Sequence, residues 1–540
     1  MAAPVLKKCL QIFPFEMKQL PADAYAVKRI GVNAWQAEFF WPVSDHSYFS
    51  LLDVIWGPIN ELFQGLEEGF QDVLLADIGF LNFLAQYLHA STAQVLCEKN
   101  SCLLLNGRLS EAFNRPDWDK LSAAYEWQQS AGSLLRFQAR RTAKRIRFNA
   151  HLPFPEAIQW LFRKSGWWGL GSFSQLKADY VRALGVHCDH HYVQTLLPMK
   201  ISIGKMGDNE NLVEAIRSYI VRIETYCREQ LGVRMLSEAA VDCWVKRMKD
   251  LFGIYRSVAQ KKELPQALLL TENAAPLHKT IALAMKRRGC RIIGFNHGNE
   301  MGNFWDPVIS YSEYSHCDEY VCATSKSAES RATHYSRWKI KGFEGTRFVS
   351  VNTSFYRRLV EKSRREPFPS KVKSVMIMGY PMNARRYPYS SGDFFLFQLD
   401  LELRVARFLK QAGYEVLYKL HPDRKKEVEG IFDGIVNRIL IEPFESVHSR
   451  ADSYFFGCIT TSTFGFALCL NKPIYVIDLK SKMWNPEAYE LLSRRCIMIP
   501  AHFDEANRIH FSEEHFLKGL TNLPEKSDLS YVETFMFDSH

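Results

Sequence analysis

The chain has 540 residues, 47% apolar and 24% charged, which excludes wholesale disorder and is too long for one ordinary core. Usual domain sizes make it roughly two to four domains. A net charge of +9 and a pI near 8.8 favour an anionic partner, without choosing among nucleotide, phospholipid and nucleic acid.

The 12 cysteines are scattered with no CxxC pair, the pattern of small buried apolar residues in an intracellular protein. After Lys7 and Lys8 no sustained apolar core follows, so a signal peptide is not expected. No uninterrupted apolar run of about 18 residues exists, so a spanning helix is not expected either. The expected location is cytoplasmic.

From residue 1 to about 130 no catalytic motif stands out. Ala76–Leu81 and Ser101–Asn106 read as short strands, and Phe83–Val95 as a helix from its apolar spacing. Residues 131–170 differ. Arg136, Arg140, Arg141, Lys144, Arg145 and Arg147 crowd together, followed by Trp160, Trp167 and Trp168. The favoured reading is a solvated basic helix and then a buried aromatic one, since charge runs are usually solvated faces. Its rival is a helix at 136–168 lying on an anionic membrane, at the inner face of the cell membrane. No helix-turn-helix, RNA-binding sheet motif or zinc finger accompanies the charge, so nucleic acid is not an expected partner.

His187-Cys188-Asp189-His190-His191 suggests a metal, but consecutive residues on a regular element cannot all turn to one ion. A loop with exposed histidines is the expectation. Helical spacing at Ile216, Ile220 and Ile223 marks 209–262 as scaffold. A β-α-β unit follows: a strand at Ala267–Leu270, a helix at Pro276–Arg288, and a strand at Arg291–Phe295 leading into Asn296-His297-Gly298. A further strand at Glu319–Ala323 has Ser325 as the expected cap of the next helix. Residues 352–372 read as a charged helix and a Pro-punctuated linker.

Beyond the linker, strands at Val375–Met378, Glu415–Leu420, Arg438–Glu442, Ser453–Ile459 and Pro473–Ile477 alternate with helices at Phe394–Gln411, Lys425–Val436, Ser446–Arg450 and Phe464–Leu470. Strand–helix alternation predicts a doubly wound parallel sheet. The division expected is an N-terminal α/β domain over 1–351 with helical insertions at about 130–262, a linker over 352–372, a C-terminal Rossmann-like domain over 373–520, and a tail over 521–540.

Two stretches of that C-terminal domain carry chemistry. Lys419-Leu420-His421-Pro422-Asp423 and Thr460-Thr461-Ser462-Thr463-Phe464-Gly465 each follow an apolar run and precede a helix. Such places face the ligand crevice of an open parallel sheet. His421 offers a ring N–H or a positive charge to a phosphate oxygen, and Pro422 fixes the chain direction. The hydroxyls of Ser462 and Thr463, with free N–H groups at a helix start, suit the same anion. A lone His-Pro is nearly meaningless, and Thr460–Thr463 alone reads first as a helix cap; the pairing gives both their weight. No GxxxxGK[ST] loop is present, so an ATP-cleaving P-loop is not expected.

Phe295-Asn296-His297-Gly298, Lys419–Asp423 and Thr460–Thr463 followed by Asn471-Lys472-Pro473 resemble the two-Rossmann (GT-B) transferases of bacterial surface and capsular polysaccharides that use CMP-activated sugars of the Kdo or sialic-acid type. They also resemble the CDP-glycerol glycerophosphotransferases. The resemblance covers about 265–480 and implies a cytidine-nucleotide donor in the C-terminal domain, on His421, Pro422, Thr461, Ser462 and Thr463. It implies an acceptor glycan, glycolipid or protein in the N-terminal half. His297 matches the family's His-Gly histidine, a candidate base or phosphate contact; Glu272 and Glu300 are the candidate acids. Asn296 stands where relatives often have glutamine. CMP leaves with one phosphate and the sequence has no DxD in a suitable loop, so no metal is expected, and no cofactor beyond the nucleotide-sugar co-substrate. The expected reaction is inverting glycosyl transfer from a CMP-linked acidic sugar. Its rivals are a CDP-polyol phosphotransferase or another nucleotide-sugar transferase, a nucleotide-sugar epimerase, and a catalytically silent scaffold.

Overall fold

The computed structural model describes residues 19–100, 102–105, 116–149, 165–201, 209–234, 237–296, 303–380, 392–481 and 483–538. In chain order its strands are β1 (Gln19–Pro21), β2 (Leu103–Leu105), β3 (Trp167–Leu170), β4 (Cys188–His191), β5 (Ala267–Leu270), β6 (Arg291–Phe295), β7 (Glu319–Cys322), β8 (Arg347–Ser350), β9 (Ser374–Met378), β10 (Glu415–Lys419), β11 (Arg438–Leu440), β12 (Ser453–Phe456), β13 (Ile474–Asp478), β14 (Ile497–Phe503) and β15 (Ile509–Phe511). β1 and β2 form a small parallel pair.

The N-terminal half holds a six-stranded parallel sheet in the order β4-β3-β5-β6-β7-β8. The C-terminal half holds a seven-stranded sheet, β11-β10-β9-β12-β13-β14-β15, parallel except for its last pair. In each, the chain starts inside the sheet, winds to one edge and returns to wind the other way. That is the doubly wound plan, and it makes two switch points: β3 beside β5, and β9 beside β12.

The central strands of both sheets are covered on both faces, which is why β5, β9, β12 and β13 are largely apolar and buried without alternation. In β5, Leu268 and Leu270 join the core shared with the helices Glu68–Ala76, Glu210–Tyr226 and Ser237–Ala259. Ala267 and Leu269 join a smaller core with Tyr180 and Phe295. In β9, Val375 and Ile377 face one core, and Met376 and Met378 the other.

The loops leaving the carboxyl ends of the two sheets meet. Trp305 N donates to Met483 O at 2.7 Å and Asn485 N to Asn303 O at 2.8 Å, while the Phe304 and Trp484 rings lie 4.3 Å apart. The carboxyl edges therefore face each other across a cleft joined on one side by this strut. The tail also spans the halves. Tyr531, Val532 and Phe535 are fully buried, Tyr531 donates to Asn303 Oδ1, and Thr324 Oγ1 donates to Thr534 O at 2.7 Å.

Several elements differ from the sequence reading. Ala76–Leu81 is not a strand but the junction of the helices Glu68–Ala76 and Gly79–Lys99, which break at Asp77 and Ile78. Asp77 sits there fully buried, bound by Arg247 at 2.6 and 2.9 Å and by Tyr125 at 2.7 Å. Among the described residues no single helix is long and apolar enough to cross a membrane; this bent pair passes by length and composition alone, and its apolar residues build the N-terminal core. Trp167 and Trp168 are not on a helix but on β3, where the Trp168 ring lies 4.3 Å from that of His191; Trp160 lies outside the described residues. Cys188–His191 is not a loop with exposed histidines. It is the edge strand β4, buried throughout, because the helix Ala131–Asn149 covers it. Arg141 donates to His190 O at 3.0 Å and lies 3.1 Å from His191 Nε2. Thr324, not Ser325, caps the helix Ser325–Arg337.

Residues 19–43 do not pack with the N-terminal sheet, whatever their place in the chain. Leu20, Val27, Trp35 and Trp41 join Ile377, Leu399 and Val416 of the C-terminal half. Gln36 donates to Asp400 at 2.8 Å, and Trp41 N to Ala506 O at 3.0 Å.

Candidate functional site

At the C-terminal switch point, register fixes three strand ends side by side: Lys419 pairs with Met378, and Met378 with Phe456. His421 lies two residues past β10 and Thr461 five past β12, on either side of β9. The ends of β10 and β12 lie two strand spacings apart, about 10 Å, so the loops carrying His421 and Thr461 leave the same sheet edge on either side of β9. His421 is half-buried and Pro422 exposed; Ser462 is exposed, and Thr461 and Thr463 are half-buried. Thr461 caps the Ser462–Leu468 helix, its Oγ1 accepting from Phe464 N at 3.2 Å. The plain cap reading thus holds for Thr461, and its own O–H remains a donor.

A buried polar network supports the His421 turn. Arg424, fully buried, donates its backbone N–H to His421 O at 3.0 Å. Its guanidinium bonds Tyr380 O at 2.9 Å and Glu402 at 3.3 Å. Glu402, 1% exposed, accepts from Tyr418 O–H and Tyr380 N, each at 2.7 Å. Gly379 makes room for this, since a Cβ there would lie 2.6 Å from Tyr418 Oη and 3.0 Å from Lys419 O. Beside it, burial lowers the Lys419 ammonium pKa, opposed by Glu445 and Glu442, and Lys419 Nζ donates to Leu420 O at 2.7 Å. Burial raises the Cys458 thiol pKa.

On the other side of the cleft is the N-terminal switch point. β3 is followed at once by Gly171, whose φ of +90° favours glycine. A Cβ there would lie 2.7 Å from Thr271 Oγ1 and 3.1 Å from Glu272 N, so the two strand ends can touch. Glu272 follows β5 and lies 3.3 Å from His278 Nε2, in the first turn of the Pro276–Lys286 helix. This carboxylate–imidazole pair stands at the crevice, with the Glu272 side chain 36% exposed. His297 and Glu300 lie outside the described residues.

The structure thus brings His421 and Thr461–Thr463 to one sheet edge and Glu272 to the facing one. Sequence reasoning missed Glu402, Arg424, Gly171 and His278. Arg424 was within sight, three residues past His421 in the same turn. Gly171, three residues past Trp168, carried the mark of a strand-to-helix turn. Glu402, mid-helix and 16 to 22 residues from its partners, left no local signal.

These features define an α/β protein of GT-B-like plan: two Rossmann-like domains with their carboxyl edges across a cleft. No protein-family model and no curated protein matches the chain. Among solved structures it is similar to the UDP-N-acetylglucosamine 2-epimerase of Rickettsia bellii, at 13% identity and a TM-score of 0.35, over 68% of this chain and 92% of that one. At that score it is a statement of likeness only.

Proposed function

We propose that the chain is an inverting glycosyltransferase that moves an acidic sugar from a CMP-linked donor to a hydroxyl of a glycan, glycolipid or protein, without a metal. The supporting observation is that His421 and Ser462 leave strands on either side of β9, at the switch point facing the cleft. There His421, with Pro422 setting the turn, and the hydroxyls of Thr461, Ser462 and Thr463 hold the donor phosphate. In the reaction an acceptor oxygen attacks the anomeric carbon and the bond from that carbon to the phosphate oxygen breaks. CMP leaves with the electron pair. His421 and the hydroxyls stabilise the charge growing on that phosphate. The acceptor proton passes to a base on the facing edge. Glu272, oriented by His278 at 3.3 Å, takes that role, with His297 and Glu300 as the other candidates.

The test is release of CMP from CMP-linked acidic sugars, alongside calorimetry with CMP. His421→Ala should lower turnover by roughly 100-fold or more with the circular-dichroism spectrum unchanged. Unaltered turnover in that variant removes the phosphate role. Absence of binding by CMP, CDP and UDP alike leaves the scaffold reading in its place.

A further inference from the structure

The helix Ala131–Asn149 has one face on β4, held by Arg141 and by Phe137 against Tyr192 at 5.3 Å. Its other face is unpartnered among the described residues. Leu135 is 67% exposed and Met199 52%. Met199 is brought to the start of the helix by the bond from Gln129 N to Met199 O, 2.9 Å, and by the bridge between Gln128 and Lys200. Ala139 and Ala143, four and eight residues past Leu135, continue the exposed stripe.

Cations border this apolar stripe. Arg136, Arg140 and Lys200 are exposed, and none has an acidic partner within 4 Å among the described residues. The helix sequence itself carries six Lys and Arg and no Asp or Glu. A solvated structural helix usually interleaves charges of both signs, and this one does not.

We infer that this face, Leu135 and Met199 ringed by Arg136, Arg140 and Lys200, docks the protein on an anionic lipid bilayer. The cations meet headgroup phosphates, and the two apolar side chains enter the acyl boundary. A polyanion such as RNA satisfies the charge but gives Leu135 and Met199 nothing to bury against. A second copy of the chain in a symmetric contact sets like charges face to face. The aromatic arm expected from the sequence is not part of the face, because Trp167 and Trp168 are in β3. The inference does not rest on the proposed reaction. It concerns the outer edge of the N-terminal sheet, one strand beyond the β3–β5 switch point, and leaves the cleft open.

The test is co-sedimentation of the full chain with vesicles of phosphatidylcholine alone and with about 30% phosphatidylglycerol added. The protein should sediment with the anionic vesicles only, and less as salt rises from about 50 to about 500 mM. Arg136→Glu/Arg140→Glu should weaken that partition by roughly 100-fold. Leu135→Asp/Met199→Asp should weaken it by roughly tenfold or more, with an unchanged circular-dichroism spectrum and thermal midpoint in both variants. No binding to anionic vesicles overturns the inference. So does binding that survives Leu135→Asp/Met199→Asp intact while polyuridylate binds equally well, which would make the face a polyanion site.

Discussion

Glu402 and Arg424 show how much of the candidate site rests on side chains that would never touch a ligand. Both are essentially out of solvent, and together they tie the end of β9 to the turn that carries His421. Taking two charges out of water is costly, and breaking such a pair by removing one partner typically costs about 3–5 kcal/mol because a lone buried charge remains. Glu402→Leu should therefore destabilise the chain by roughly that amount, seen as a lower urea midpoint at unchanged slope. The double variant Glu402→Leu/Arg424→Met removes both charges and should recover at least half of the loss. CMP affinity should stay weakened in it, since the His421 turn has lost its anchor. A double variant no more stable than the worse single one would mean that the network holds by shape rather than by charge balance.

At the scale of elements, Arg495 does for the Ser462–Leu468 helix what Arg424 does for the turn. Its guanidinium reaches Leu468 O at 3.0 Å, Leu470 O at 2.6 Å, Ala467 O at 3.3 Å and Lys472 O at 3.2 Å. A cation thus satisfies the last carbonyls of the helix whose first turn carries Ser462 and Thr463. Arg495→Met leaves those buried carbonyls without their donor and should cost about 3 kcal/mol. Hydrogen exchange should show faster opening of 462–470 in particular, and uniform loosening would argue against a local cap. This is also the scale at which the chain was most and least legible. β9, β10, β12 and β13 could be read because parallel strands buried on both faces are unbroken apolar runs between turn residues. β4 could not, since its Cys188-Asp189-His190-His191 is polar by composition and becomes strand only because β3 and the 131–149 helix enclose it. Ala76–Leu81 failed for the converse reason: a helix end buried all round has the same apolar signature as a strand. His421 and Ser462 announced themselves by position after a strand, whereas Glu402, Arg424 and Arg495 act across distances in the chain that no local pattern records.

For the whole molecule, the question is what couples the two halves, and His89 lies at that seam. The Gly79–Lys99 helix gives residues up to Leu88 to the N-terminal core and Ala90, Ala93 and Cys97 to the C-terminal one. His89, between them and 3% exposed, accepts from Trp41 Nε1 at 3.0 Å on Nε2, so the folded ring is neutral with its proton on Nδ1. Burial pushes its pKa down to about 3, and burial with the nearby Arg331 does the same to His334 at the interdomain strut. The folded pKa lies below the unfolded value of 6.5, so the unfolded chain binds more protons between the two. Stability from the neutral ring is therefore present above pH 6.5 and lost as pH falls toward 3. For His89 alone the loss between pH 7 and pH 5 amounts to about 2 kcal/mol. The carboxylates with depressed pKa, such as Glu319 and Asp528, titrate below that window, while His316, His334 and His448, whose pKa values burial also lowers, share it. His89→Gln keeps an acceptor for Trp41 and removes the proton site, so the fall in unfolding free energy from pH 7 to pH 5 should shrink by about 2 kcal/mol relative to the parent chain. If urea titrations show the same pH dependence with and without His89, the acid sensitivity of the seam belongs to other groups, and the ring there is only packing.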